Sequence, residues 1–177
     1  MNNFKIRDAV KEDSARIAEI YNPYILNTVI TFEETPVTAI EIRRRIEAVE
    51  ALGYPYLVME QEGKVIGYAY ANQWRTRAAY RHTVETSIYL DQNTTGKGLG
   101  TTLYQALLDR LKKLDIHVVL GGITLPNPVS VGIHEKLGFK KVAHFTQVGY
   151  KFGRWLDVGF WQLVVSDQSP GSRDQAD

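Results

Sequence analysis

Apolar and polar residues alternate from Phe4 to Ala9, which predicts a first strand. Ile17, Ile20, Tyr21, Tyr24 and Ile25 then recur at helical spacing on one face, and Pro23 is expected to kink or end that helix. A loop through Thr28–Pro36 follows. Thr38 with Glu41 three residues on reads as a capping box, Ile42, Ile46, Val49 and Leu52 as the apolar stripe of a second helix, and Gly53 as its close. Tyr56–Gln61 and Lys64–Asn72 flank Glu62-Gly63, a hairpin signal. Arg81–Asp91 is rich in β-formers, a helix is predicted from about Leu99 to Leu114, and His117–Thr124 reads as an apolar strand. A short helix ends at Gly138, and Phe139–Tyr150 and Arg154–Val165 read as an antiparallel pair joined through Gly153.

This order predicts an α+β (mixed α/β) fold with helices on both faces of a mixed sheet. The polar stretch SDQSPGSRDQAD, residues 166–177, is expected to be a disordered tail, which leaves one domain over residues 1–165. A chain of 177 residues agrees with a single domain. Its 44% apolar and 23% charged residues are those of an ordinary soluble protein. With 21 basic and 20 acidic residues the net charge is +1, so nothing electrostatic points to nucleic acid or an anionic membrane. Arg43-Arg44-Arg45 falls in an amphipathic pattern and reads as a solvated helix face.

Cysteine is absent, which excludes disulfides, thiolate metal sites and a cysteine nucleophile and fits a reducing cytoplasm. The N-terminus has no apolar signal core, and no run approaches the roughly 18 apolar residues of a membrane span. The expected location is cytoplasmic. His82, His117, His134 and His144 show no metal-ligand spacing, and no metal is expected.

TTGKGLG, Thr94 to Gly100, puts three glycines at the opening of a helix. A Walker A loop would need Ser or Thr after Gly96-Lys97, where Gly98 stands. The dinucleotide fingerprint would need glycine at 101, where Thr101 stands. What remains is a loop whose backbone N–H groups converge at a helix N-terminus, suited to a pyrophosphate, with Lys97 adding charge, or else a ligand-free turn.

The strand Thr83–Leu90, Gly96-x-Gly98-x-Gly100, and Asn127-x-x-Ser130-x-x-x-His134-Glu-Lys-Leu-Gly-Phe139 together resemble the GCN5-related N-acetyltransferase (GNAT) superfamily over roughly Phe4 to Val165. That resemblance implies a twisted sheet of about seven strands and acetyl-CoA as co-substrate. It implies a pyrophosphate site at Gly96, Lys97, Gly98, Leu99, Gly100 and Thr101, and contacts to the pantetheine arm from Asn127 and Ser130. It also implies thioester-facing backbone at Ile88, Tyr89 and Leu90, where the fourth strand is expected to bulge and splay. Thr95 departs from the Gln or Arg usual at that place.

Direct acetyl transfer to an amine needs a base, a polarised carbonyl, close approach and a proton for the leaving thiolate. Glu85 is the candidate base, because a mid-strand carboxylate among β-branched residues is raised toward working pH by desolvation; an ordinary surface glutamate paired with Arg81 is the alternative. WRTRAAYRHTVETSIY (Trp74–Tyr89), the stretch Tyr21–Glu33, and His134 in place of a common tyrosine resemble the phosphinothricin and methionine sulfone or sulfoximine acetyltransferase branch. By that resemblance Glu85 acts through a water, His134 is a second catalytic candidate, and Phe32, Trp74, Arg75, Arg77, Tyr80, Thr86 and Ser87 line the acceptor site beside Glu85. Guanidinium forks suit carboxylate and phosphinate oxygens, although Arg75 and Arg77 also read as solvated loop residues and His134 as a packing residue.

The expected reaction is acetylation of the α-amine of a small amino-acid analogue. Acetylation of a protein or peptide amine, and a non-catalytic acyl-CoA-binding module, are the alternatives. Trp155, Phe160 and Trp161 read either as core or as the interface of a homodimer.

Overall fold

The computed structural model describes residues 4–94 and 98–165. Among these, the strands are β1 (Phe4–Asp8), β2 (Tyr56–Gln61), β3 (Lys64–Gln73), β4 (Thr83–Leu90), β5 (Val118–Leu125), β6 (Lys140–Lys151) and β7 (Arg154–Val164). The helices are α1 (Ser14–Asn27), α2 (Ala39–Ala51), α3 (Leu99–Leu111) and α4 (Pro128–Lys136). The strands form one sheet in the order β1-β2-β3-β4-β5-β7-β6, antiparallel throughout except for the parallel pair β4 and β5. The mixed sheet and its helices on both faces agree with the α+β reading.

Each face carries its own core. Ile17, Ile20, Tyr21 and Ile25 of α1 join Ile42, Ile46 and Val49 of α2 over Tyr56, Val58 and Tyr68. On the other face Leu103, Leu107, Leu108 and Leu111 of α3 pack with Val84, Val119, Phe139 and Trp161. Burial of apolar surface at roughly 25 cal/mol per Å² drives both. The two β-hairpin turns have left-handed central residues, Glu62-Gly63 and Phe152-Gly153, as a tight turn between right-twisted strands requires.

Pro23 does not end α1, which continues to Asn27 and closes with Thr28 N–H donating to Tyr24 O. Ile25, beyond the proline, is fully buried, and its packing offsets the roughly 3 kcal/mol that an interior proline costs. The expected capping box at Thr38 is half formed. Thr38 Oγ1 accepts from Glu41 N–H, while the Glu41 carboxylate turns to Arg44 and Arg45. Arg43 and Arg44 lie on a solvated face as expected, but Arg45 is half-buried and grips Glu33 with both terminal nitrogens, at 2.7 and 3.0 Å. Residues 166–177, the expected tail, lie outside the described residues.

Leu103 is fully buried between α3 and the sheet. Leu103→Ala is expected to lower the unfolding free energy by about 2–5 kcal/mol, read as a lower urea midpoint at an unchanged m-value.

Candidate functional site

The site begins where a ladder stops. β4 and β5 pair only at Thr83↔Val118, Val84↔Val119 and Glu85↔Leu120, although β4 runs on to Leu90 and β5 to Leu125. Beyond Glu85 the two strands part. Asp91 N–H donates to Ile66 O, so Ile66↔Asp91 is a hydrogen-bonded pair, and the alternation of an antiparallel ladder then fixes every other residue of β4. The N–H groups of Ile88 and Leu90 face the gap, whereas that of Tyr89 is turned to β3. Of the three residues expected to offer donors, Tyr89 therefore offers none. The β3–β4 register is continuous from Gly67↔Leu90 to Gln73↔Val84, so β4 splays without the expected bulge.

Glu85 stands at the last paired position. A Cβ built on Gly122 would lie 3.0 Å from Glu85 Oε1 and 3.2 Å from the Phe160 ring, so carboxylate and ring share the space that this glycine leaves. No cation or hydrogen-bond donor reaches the carboxylate among the described residues, and Arg81 instead donates to Ala78 O. Burial alone pushes the Glu85 pKa above its ordinary value. On the same face, burial pushes the pKa of the Tyr70 hydroxyl up, with Ser87 acting in the opposite sense.

Thr86 turns to the opposite face. Expected beside the acceptor, it is instead buried, its hydroxyl 2.6 Å from Tyr104 OH and 3.2 Å from Leu120 O. Tyr104 OH in turn lies 3.1 Å from His134 Nε2, and His134 Nδ1 lies 2.8 Å from Ser130 O. A carbonyl only accepts, so Nδ1 carries the proton and Nε2 accepts from Tyr104. His134 is 4% exposed, stacked edge-on with Tyr104 and Phe139, and burial lowers its pKa, so it is neutral. Both ring nitrogens are thus committed to partners inside the fold.

Along the gap stand two helix N-termini. Gly98 caps α3 at φ 91°, a conformation that side chains resist, and its carbonyl accepts from Thr102 N–H. Leu99 and Gly100 are buried, and Thr101 is half-buried in the same first turn. A Cβ on Gly100 would stand 3.1 Å from Ile133, which shows how closely α3 and α4 approach. Thr95, Gly96 and Lys97 lie outside the described residues. At α4, Asn127 Oδ1 accepts from Ser130 N–H as an N-cap, which leaves the Asn127 Nδ2 group as a donor.

The β3–β4 connection leaves the sheet beside Glu85, since Asn72 pairs with Glu85 and Gln73 with Val84. In it Arg75 lies over the Trp74 ring at 4.6 Å and near Tyr80 at 5.9 Å, and Trp74 meets Tyr80 edge-on. Arg75, Thr76, Arg77 and Tyr80 line a recess of about 360 Å³. Phe32, 41% exposed on the α1–α2 loop, rests against Gly149 of β6. Among the described residues no group of three His, Asp or Glu side chains is arranged to hold a metal, and no helix is long and apolar enough to cross a membrane.

A model of the acetyltransferase (GNAT) domain matches residues 6–159. The chain belongs to the GNAT acetyltransferases. An L-amino acid N-acyltransferase of Escherichia coli K12 is 43% identical over 164 residues, 93% of this chain and 95% of that protein. An L-methionine sulfoximine/L-methionine sulfone acetyltransferase of Salmonella typhimurium is 42% identical over 93% of this chain and 96% of its own. The crystal structure of a GNAT superfamily phosphinothricin acetyltransferase from Sinorhizobium meliloti, in complex with acetyl-CoA, superposes with a TM-score of 0.88 at 42% identity over 93% of this chain and 89% of that one. Within this GNAT chain the ladder donors at Ile88 and Leu90 stand open where the strands part, and the first-turn N–H groups of α3 begin at a left-handed glycine.

Phe160, Gly122, Tyr104 and Arg45 carry site geometry that sequence reading did not assign to the site. The Gly122↔Phe160 pairing that brings Phe160 to Glu85 joins residues far apart in the chain. A buried carboxylate with a raised pKa opposes folding above the unfolded-state value near 4.3, because the unfolded chain ionises more readily. Glu85→Gln is therefore expected to raise Tm at pH 7, by roughly 2–4 °C per kcal/mol relieved. The gain shrinks as pH falls through the ordinary glutamate range, where both states hold the proton, and thermal scans at pH 4 and 7 measure it.

Proposed function

We propose that this GNAT enzyme transfers the acetyl group of acetyl-CoA to the α-amine of a small amino-acid analogue of the methionine sulfone, methionine sulfoximine or phosphinothricin type. The transfer is by direct attack in a ternary complex. The observation that carries this reading is Glu85, a desolvated carboxylate with no cation, at the point where β4 and β5 part. Acetyl-CoA supplies the acetyl group as a thioester. In this reading the pyrophosphate is held by the N–H groups of Gly98 to Thr101 together with Gly96 and Lys97. Asn127 Nδ2 and Ser130 meet the pantetheine arm, and the N–H groups of Ile88 and Leu90 polarise the thioester carbonyl.

Glu85 takes the amine proton through a water, and the upward push of burial on its pKa makes it a stronger base than an ordinary carboxylate. Arg75 and Arg77 bind the acceptor's anionic or S=O oxygens, with Trp74, Tyr80, Phe32 and Ser87 completing the walls. The geometry favours His134 as a positioning residue, because both of its nitrogens already serve Ser130 and Tyr104. Acetylation of the amine neutralises such analogues, which gives the reaction a role in resistance to them. A homodimer in the cytoplasm completes the reading. Trp155 is 62% exposed and Phe145, Val148, Tyr150 and Phe152 join it on β6, β7 and their turn, while Trp161, 2% exposed, belongs to the core.

Glu85→Gln is expected to lower kcat by about 10²–10⁴ with acetyl-CoA affinity within about threefold of wild type. The wild-type kcat/KM rises with pH along an acid limb centred above the ordinary carboxylate range, and the substitution removes that limb. Unchanged turnover dismisses Glu85 as the base and leaves the acyl-CoA-binding module standing. Arg75→Ala is expected to raise KM by about tenfold for phosphinothricin and far less for a neutral amine, measured by release of free thiol. Equal effects on the two acceptors would remove Arg75 from the acceptor site.

A further inference from the structure

Lys151, at the end of β6, is 1% exposed and has no carboxylate within ion-pair distance among the described residues. Lysine is almost never fully buried unless paired. Its Nζ donates to the backbone carbonyl of Thr31 at 2.8 Å and lies 5.0 Å from the centre of the Phe152 ring. Two residues earlier on β6, and so on the same side of the strand, Gly149 gives up its side-chain space to the ring of Phe32. One β6 edge thus holds both halves of the Thr31-Phe32 unit, the backbone by a charged donor and the ring by an absent Cβ.

From the other side the same loop is tied to helices. Tyr21 OH donates to Glu33 at 2.9 Å and stands 2.7 Å from Thr31 Oγ1, so the Thr31 hydroxyl is the donor toward it. Arg45 clamps Glu33, and Asn22 exchanges two hydrogen bonds with Val37. Tyr21 also packs edge-on against Tyr89, on the face of β4 that carries Glu85 and Ser87. The loop therefore lies over the acceptor side of the sheet, held by α1 and α2 from one side and by Lys151 and Gly149 of β6 from the other.

We propose that Lys151 is a positioning residue for acceptor selectivity: its ammonium, acting with Gly149, fixes the Thr31 carbonyl and so the place of Phe32 over the acceptor site. The inference rests on the assignment of Phe32 to that site. A leucine or methionine would fill the same space without the desolvation cost of an ammonium, so the charge serves the carbonyl it bonds. Lys151 touches no reacting group. Its effect appears in acceptor KM and not in acetyl-CoA KM.

The test compares wild type, Lys151→Met, Gly149→Ala, Phe32→Ala and Lys151→Met on Phe32→Ala, with methionine sulfone as acceptor. Lys151→Met is expected to raise acceptor KM by about tenfold, with acetyl-CoA KM and kcat within about threefold. On the Phe32→Ala background it adds little, because it acts through that ring. Gly149→Ala, which displaces the ring and keeps the lysine, shifts KM the same way and serves if Lys151→Met does not fold. Hydrogen exchange of amides 28–35, measured without substrates, is expected to quicken in Lys151→Met by at least about tenfold. Unchanged exchange overturns the anchor, and quickened exchange with unchanged acceptor KM overturns the selectivity role. Failure of wild type to acetylate methionine sulfone, phosphinothricin and methionine alike overturns the acceptor reading itself, while the exchange result still decides the anchor.

Discussion

The site depends on a parallel pair of strands that is allowed to come apart. A sheet normally consumes its backbone donors, and burying one unpaired costs about as much as a lost hydrogen bond. Here the pairing of β4 and β5 stops at Glu85↔Leu120, and the next gap-facing donors, at Ile88 and Leu90, are left for something else. Side chains hold the break in place. The Thr86 hydroxyl stands between Leu120 O and Tyr104 OH at the last rung, Tyr104 gives its one proton to His134 Nε2, and His134 Nδ1 donates to Ser130 O in α4. A neutral histidine suits this chain, since protonation would give Nε2 a hydrogen where it must accept. The same four side-chain contacts bring the N-terminal ends of α3 and α4 to the mouth of the gap.

Two carboxylates on the acceptor face show how environment separates chemistry from scaffolding. Glu33 is half-buried, and although burial pushes its pKa up, bonds from Arg45 and Tyr21 outweigh that and hold it below its usual value. Glu85 has no such partner and is raised. Both are glutamates next to tyrosines, yet one is fixed as an anion that anchors a loop and the other holds its proton more readily than an ordinary carboxylate. Divergent pKa values within one site are how carboxylates are given different tasks. Phe160 and Gly122 cause the difference, the ring excluding water and the glycine making room.

Sequence periodicity carried the fold, because amphipathic stripes such as Ile42, Ile46 and Val49 are local signals. Of the two outcomes it allowed for Pro23, a kink or an end, the buried Ile25 rules out the end, and it misjudged Arg45, where a run of three arginines hid one that points inward to Glu33. Candidate residues within one strand or motif were legible: the half-buried Glu85 from its place in an alternating strand, the left-handed Gly98 from its spacing. Direction along the strand was not. Period-two alternation puts Thr86 opposite Glu85, so its grouping with the acceptor residues conflicted with the pattern itself, and its burial against Tyr104 follows the pattern. Whether Tyr89 offers its N–H to the gap depends on ladder phase, which only the Asp91–Ile66 hydrogen bond reveals.

What stayed hidden consists of long-range ties. Lys151 meets Thr31 across 120 residues, and Phe160 comes beside Glu85 only because β7 is inserted between β5 and β6. These are also the places where the usual placement of charge is broken, with an ammonium and a carboxylate both taken out of water at a cost to stability. A sequence is expected to violate such rules where geometry serves chemistry, and the two violations fall on the same face of the sheet. The donors that open α3 follow from local glycine spacing. The surroundings of Glu85 draw on Gly122 of β5 and Phe160 of β7, so they are set by tertiary structure to a degree that the opening of α3 is not.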